Sequence, residues 1–393
     1  MPTNTQTPDK AAAGGKLQGL YEADCAAWNA LAEQPLAQTG FIETSRSHPP
    51  RGIEVGVVMH RQDGRLVCGA PVFQWTLDLD RVVGQGLRPL LTGLSRIAPR
   101  YVHIPILGVG SPLLDRCRIV VDPRLDTAQR RYALDALIEQ ALATAEVSGA
   151  HMTLFKDVSD ALSREMHDDF TRRGFTRMSS LPSAVIDVPF ASLDDYFASL
   201  DGRLRSELRR KQRQSARIEI EVVDQFDPVA ADVDRLLAET WARRKLDLGG
   251  LDELPAGFAR CLLEQMAPAA RCAVSRLDGE VVGCNLFFVH DGVATAFLIG
   301  LSGEHVREYN LYFMNWLWML RYAIENGLRR LEFGQSNYGL KLRLGCRLEP
   351  SWIYIRHRSK AWNRFVGAVA RRISLPNLDP DLKALAQAGA QPP

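Results

Sequence analysis

Cysteine is sparse and scattered in this chain. The seven residues (Cys25, Cys68, Cys117, Cys261, Cys272, Cys284 and Cys346) include no C-x-x-C pair, which argues against a disulfide framework and a zinc site. Cys68, Cys272 and Cys284 fall in apolar strand-like runs, where a thiol acts as a small buried hydrophobe, and the usage fits a reducing cytoplasm. The eight histidines show no H-x-x-x-H or similar ligand spacing, so no metal is expected. No G-x-S-x-G elbow occurs, against a serine hydrolase. Apolar runs are too short to span a bilayer. The richest, Leu311–Leu320, is interrupted by Asn315 and soon meets Arg321; it reads as a buried helix, with peripheral membrane contact as the alternative. Met1–Lys16 is polar and lacks the apolar core of a signal peptide. Net charge is only +2, so affinity for an anionic partner has to come from local clustering.

What the chain does have is enough apolar residue, 46% against 24% charged, for a sizeable core in one large or two ordinary domains. Periodicity predicts a helix from Leu17 to Glu33 and strands over Ile53–His60 and Leu66–Leu77 joined at Asp63-Gly64. Further strands are expected at Tyr101–Val109, Arg118–Val121 and Met152–Phe155, with a helix from Ala128 to Val147 ending at Gly149. A second cycle follows. It comprises a strand (Ala184–Val188), helices over Leu193–Leu200 and Leu204–Arg217, a strand (Ile218–Val223), and helices over Pro228–Lys245 and Ala256–Met266. Cys272–Leu301 then reads as three antiparallel strands turning at Asp278-Gly279 and Asp291-Gly292, before an apolar helix over Asn310–Asn326. Two related α/β (α+β) units in tandem, 17–181 and 182–375, account for this order, with a boundary near Leu181–Ser183 and a strand shared across it as the alternative. Residues 1–16 and 376–393 read as flexible ends.

Three segments can carry chemistry. Backbone amides of the Ser302–Asn310 loop, at a helix N-terminus, attract phosphate; Arg307, Tyr309 and Asn310 lie there, with Asn310 also a plausible N-cap. Arg205, Arg209, Arg213 and Arg217 recur every four residues on one helical face, widened by Arg203, Arg210 and Lys211. That face suits donor phosphates, an acceptor carboxylate or transfer RNA, or is simply a solvated basic surface. Third is Leu331-Glu-Phe-Gly-Gln-Ser-Asn-Tyr-Gly-Leu-Lys-Leu-Arg-Leu-Gly345, a strand, a glycine turn and a polar tip. Lys341 can stabilise developing negative charge, and Glu332 can act as a base through water. Trp241 is a candidate lining residue.

The short helix Leu193–Leu200, the arginine-rich helix after it, and the sequence Leu331-Glu-Phe-Gly334 with Tyr338, Lys341 and Gly345 resemble the BioF2-like acetyltransferase domain of the GNAT superfamily, in the branch related to the Fem-type peptidyltransferases. His151–Arg177 is similar to the linker of tandem Fem-like proteins. The departures are Gln335, Ser336 and Asn337 where the family often has an acid, and Gly303–Asn310 in place of the Q/R-x-x-G-x-G/A pyrophosphate loop. The resemblance implies tandem GNAT-like domains, each with a mixed, mainly antiparallel sheet flanked by helices. It implies an N-acyltransferase that moves an acyl group from acyl-CoA, a co-substrate rather than a tightly bound cofactor, directly to a small-molecule amine. Tyr338 would protonate the leaving thiolate, beside Lys341 and Glu332. Arg307, Tyr309, Asn310 and Gln335 would face the donor, and Arg205, Arg209, Arg213 and Trp241 the substrate. The alternatives are an aminoacyl-tRNA-dependent Fem-type transferase and a non-catalytic GNAT-like module in envelope or polysaccharide biosynthesis; DNA is not an expected partner.

Overall fold

The computed structural model describes residues 17–78, 103–243, 254–372, 376 and 379–387; Met1–Lys16 and the last six residues lie outside them. Residues 17–20 run beside the first strand, where Leu17 N–H donates to Glu54 Oε1 (2.7 Å) and Gln18 O accepts from Val57 N–H (2.8 Å). These bonds divert the backbone from the helix expected there, so α1 starts only at Glu22 (Glu22–Leu31). After α2 (Thr39–Ser47) come β1 (Glu54–Gln62), β2 (Arg65–Asp78), β3 (His103–Val109), β4 (Val120–Val121), α3 (Thr127–Val147), β5 (Met152–Ser159), α4 (Asp160–Arg172) and β6 (Thr176–Ser179). The second half holds β7 (Ser183–Asp187), α5 (Leu193–Ser199), α6 (Gly202–Gln214), β8 (Ile218–Val222), α7 (Ala230–Ala242), α8 (Phe258–Met266), β9 (Ala270–Leu277), β10 (Glu280–His290) and β11 (Val293–Leu301). It closes with α9 (Leu311–Glu325), β12 (Arg330–Gly334), α10 (Tyr338–Arg343), β13 (Arg347–Glu349), β14 (Ser351–His357), α11 (Lys360–Ala370) and α12 (Pro380–Gln387). All three Asp-Gly hairpins form where expected. Both residues of each turn take positive φ, as tight two-residue connections require.

Two seven-stranded sheets result, in the orders β1-β2-β3-β5-β14-β6, with β4 on β2, and β13-β7-β12-β11-β10-β9-β8. Each contains one parallel pair, β3 with β5 and β11 with β12, among antiparallel neighbours. This is the tandem, mainly antiparallel α/β arrangement. The chain passes from one sheet to the other over Ser180–Pro182, and β14 returns to insert between β5 and β6. Its Tyr354 enters the first half's core, stacked on Phe170 at 4.1 Å, with its hydroxyl at Ser163 Oγ (2.8 Å) and His167 Nδ1 (3.0 Å).

Leu36, Phe41 and Leu114 from the first half share one apolar cluster with α7, α8 and strands β9–β11, and Phe41 meets Phe297 edge-on at 5.6 Å. Here α2 crosses α8 so closely that a Cβ at Gly40 would sit 2.7 Å from both Gln265 O and Met266 Sδ. Gly40→Ala should therefore force the halves apart and lower stability by about 1–3 kcal/mol, measured as the urea midpoint. An unchanged midpoint would mean that the helices separate without cost.

The frayed end expected after Leu375 is corrected over Pro380–Gln387. Asp379 Oδ1 accepts from the N–H groups of Asp381 (2.9 Å) and Leu382 (3.1 Å), Leu382 is buried, and Asp381 Oδ2 accepts from Gly339 N–H (2.8 Å). An Asp cap followed by proline is a helix start, and this one docks on α10. The Leu311–Leu320 run lies within α9, buried except at Tyr312 and Met314, which are partly exposed. No described helix is long and apolar enough to cross one.

Candidate acyl-transfer site

The site is defined by a parting of strands. β11 and β12 pair only over Val293–Thr295 and Arg330–Glu332, whereas β11 stays paired with β10 as far as Leu301. Past Thr295, no described strand pairs with the β12-facing edge of β11. The notch thus opened is approached by three elements. Tyr312, on the first turn of α9, packs on the small cluster around Leu301 and Leu311 together with Ile299 and Tyr309. Burial pushes its phenol up to about 12, an effect that the Asn337 side chain, at the tip beyond β12, opposes.

The tip is conformationally unusual. Gly334, Ser336 and Asn337 all have positive φ (63°, 101° and 50°), a strained run of the kind that surrounding structure has to enforce. Lys341 does so from behind. It is 2% exposed, and its Nζ donates to Phe333 O (2.7 Å) and Gly334 O (3.2 Å). Burial pulls its ammonium down to about 8, with the nearby Cys346 and Asp115 opposing. Tyr338 is fully buried and donates its hydroxyl to Pro182 O (2.8 Å), and burial raises that phenol. This places Tyr338 in the wall of the tip, turned away from the notch. Gln335 braces the two halves, donating to Leu181 O (2.7 Å) and to Asp157 Oδ1 (3.3 Å).

On the face of the second sheet that meets the first half, period-2 alternation sets Arg330 and Glu332 outward from Leu331 and Phe333. Glu332 is held by Arg116 (3.2 Å) and Arg330 (3.1 Å), and accepts from Thr295 Oγ1 (3.3 Å). The same two arginines reach Glu349 at 2.8 and 2.7 Å. Burial works to raise the Glu349 carboxyl, but bonds from Arg330 and Arg347 with the Arg116 charge hold it at about 2. Ser183 Oγ donates to Asp115 Oδ2 (2.6 Å) beside this network. The loop carrying Asp115 and Arg116 thus lays a charge-balanced seam across β7, β12 and the base of the notch.

The expected phosphate loop is built differently. Ser302–Asn310 coils in successive turns, with Val306 N–H on Ser302 O and Leu311 N–H on Val306 O. Gly303 N–H is taken by Glu239 Oε2 (3.2 Å). Asn310 sits in the left-handed region at φ 48° with no side-chain cap, which corrects the N-cap expectation: from that conformation its side chain does not reach back over the first turn. Arg307 projects into solvent. Tyr309 O accepts from Ser215 Oγ (2.6 Å) and its hydroxyl accepts from Arg217 (3.3 Å), so the C-terminal end of the basic helix and this loop are brought together. Along α6, Arg205 donates to Leu200 O (3.0 Å), while Arg209 pairs with Asp194 (2.9 Å) over the Phe197 ring. Arg203, Arg210 and Arg213 face solvent. Trp241 packs into the cluster between the halves, on α7. Tyr312, Thr295 and Arg116 escaped sequence reasoning, and Asn337 was read only as part of the polar tip. Only Tyr312 carried a signal, an aromatic hydroxyl on the first turn after the candidate donor loop.

A sheet notched between two parallel strands, with a helix connecting them, is the GNAT-like arrangement expected from the sequence. Residues 202–342, from the start of α6 to Leu342 of α10, match the family model described as an acetyltransferase (GNAT) domain. Over the whole chain the fold is similar to that of FemX (TM-score 0.57, 12% identity, 88% of this chain and 99% of that one). It is also similar to the C-terminal domain of a putative lysylphosphatidylglycerol synthetase from Agrobacterium fabrum (0.54, 12%, 89% and 96%) and to L-PGS from Bacillus licheniformis (0.54, 13%, 91% and 98%). No curated protein sequence matches the chain at a significant level.

Proposed function

We propose that the protein is an N-acyltransferase that moves an acyl group from an acyl-CoA to an amine by direct transfer, in a cytoplasmic setting. The observation that carries this reading is the parting of β11 from β12 after Thr295 and Glu332, which leaves a strand edge for the carrier and a passage through the sheet. The amine approaches from the Arg116–Glu332 seam and attacks the thioester carbon. As the C–N bond forms, the carbonyl oxygen becomes an oxyanion, met by backbone N–H groups of the β11 edge. The C–S bond then breaks, the thiolate takes its proton from the Tyr312 hydroxyl, and the new ammonium gives its proton to water and on to Glu332. Tyr338 and Lys341, both buried, act by positioning: they hold the tip that presents Asn337 to Tyr312.

A second reading keeps the chemistry and changes the carrier to an aminoacyl-tRNA. It is favoured by the solvent-facing Arg203, Arg210 and Arg213 and by the occupation of Gly303 N–H by Glu239, since a long polyanion uses an exposed cationic helix better than a coiled loop. Thermal unfolding separates the two. A midpoint raised by acyl-CoAs and not by charged tRNA supports the first reading, because ligands that bind only the folded state stabilise it by mass action. A rise with charged tRNA alone replaces it with the second, and no rise with either sinks both.

A further inference from the structure

Between Pro350 and Leu378 the chain holds six basic residues (Arg356, Arg358, Lys360, Arg364, Arg371 and Arg372) and no aspartate or glutamate, although its overall charge is only +2. The helix α11 lies within this stretch and packs on the first sheet through one face. Asn363 accepts from His357 N–H (2.8 Å) and donates to Gly174 O (2.8 Å), a Cβ at Gly367 would sit 2.7 Å from Thr176 Oγ1, and Ala370 is buried. At 100° per residue, the side turned away from Asn363, Gly367 and Ala370 carries Trp362, Phe365 and Val369. These are 44%, 60% and 37% exposed, and the two aromatic rings touch edge-on at 5.7 Å. A surface helix normally turns its polar side outward; α11 turns out an apolar ridge. On the same projection Arg364 lies about a quarter-turn from Phe365 and Arg372, just past the helix, falls beside it, whereas Lys360 and Arg371 lie further round toward the packed face; these four and Arg358, ahead of the helix, are all exposed.

We infer that α11 is a docking face for an anionic lipid bilayer, with Trp362, Phe365 and Val369 entering the headgroup–acyl boundary and the exposed cations nearest the ridge, Arg364 and Arg372 foremost, meeting lipid phosphates. Charge and apolarity select this occupant together. A polyanion such as RNA matches the arginines but gives valine and phenylalanine no hydrocarbon. A bilayer offers both layers at this spacing, with tryptophan at its preferred interfacial depth. Three apolar side chains and a handful of cations make a reversible attachment, sensitive to salt and to anionic lipid content. The inference is independent of which acyl carrier the notch accepts.

The test is co-sedimentation of the full chain with vesicles of phosphatidylcholine alone and of phosphatidylcholine mixed with phosphatidylglycerol, at low and high salt. The expected result is binding to the mixed vesicles only, weakened by salt. F365S/V369S should abolish it, and R364Q/R372Q should lower the partition coefficient about 30-fold, for two cations removed. All four positions are exposed, so the unfolding midpoints of both variants should match the parent. No binding to the mixed vesicles, equal binding to both kinds, or undiminished binding of either variant would overturn the proposal. So would a concentration-dependent dimer in sedimentation velocity that F365S/V369S dissolves, since the face would then belong to a second copy of the chain.

Discussion

Replacing Lys341 with methionine should remove a pH-dependent gain in stability that the parent shows between pH 8 and 10.5. The lysine's folded pKa is lowered by burial from 10.5 to about 8. Below about 8 it is protonated in both states, and the folded protein bears the full cost of a buried ammonium. Between about 8 and 10.5 the folded chain releases the proton while the unfolded chain keeps it. The unfolded state then binds more protons, and stability rises with pH. Across that window the gain is on the order of 3 kcal/mol for this group alone. The neutral amine retains two N–H donors, one for each of the Phe333 and Gly334 carbonyls, so deprotonation need not break the tip. Methionine supplies no donor and leaves both carbonyls without that partner, at about 1–3 kcal/mol for a buried group left unsatisfied. Subtracting the variant's urea-derived stability from the parent's, pH by pH, cancels the other titrating groups. A flat difference between pH 8 and 10.5 would refute the assignment. Turnover in the variant should fall as well, because the tip that presents Asn337 is released.

The second large effect concerns two tyrosines: the acid role that the family resemblance implies for Tyr338 passes, in the function we propose, to Tyr312. Tyr312→Phe should lower kcat about 10²- to 10³-fold with little change in KM, the range for loss of a positioned proton donor, while the unfolding midpoint stays close to the parent's. Its phenol, pushed up to about 12, keeps its proton through neutral pH and so has one to give. Tyr338→Phe should do the reverse, costing about 1–2 kcal/mol through the orphaned Pro182 carbonyl and affecting turnover only as the tip loosens. Steady-state kinetics and thermal unfolding on both variants decide the matter. Full kcat in Tyr312→Phe, or a stable but inactive Tyr338→Phe, would return the acid role to Tyr338.

Much of the candidate site was visible in the sequence as segments but not as roles. The strand-glycine-tip motif, the basic helix and the loop before α9 were each located, and the structure brings the last two together through Arg217 and Tyr309. The individual assignments depended on side-chain direction. Tyr338 read as an acid through the family resemblance, and Lys341 as a cation close to a polar turn. The turn continues into α10, and that helix rotates both inward. Asn310 read as a cap by residue type, and its left-handed backbone prevents it. Gln335 read as donor-facing, and its amide spans the boundary between the halves. None of these distinctions is a property of local composition.

The sequence by itself determined the elements whose signals are local. These are the three Asp-Gly hairpins, the arginine periodicity of α6, the buried apolar helix α9, and the repeated order of helices and strands that makes two related units. Such features depend on backbone preference and side-chain period, which a single segment carries alone. Tertiary structure decided everything that requires two segments far apart in sequence to meet. It drew β14 back into the first sheet and parted β11 from β12 after three paired residues. It also set Arg116 of the first half against Glu332 of the second and turned the apolar side of α11 outward. Each of these follows from how distant surfaces close on one another, for which a linear pattern has no term.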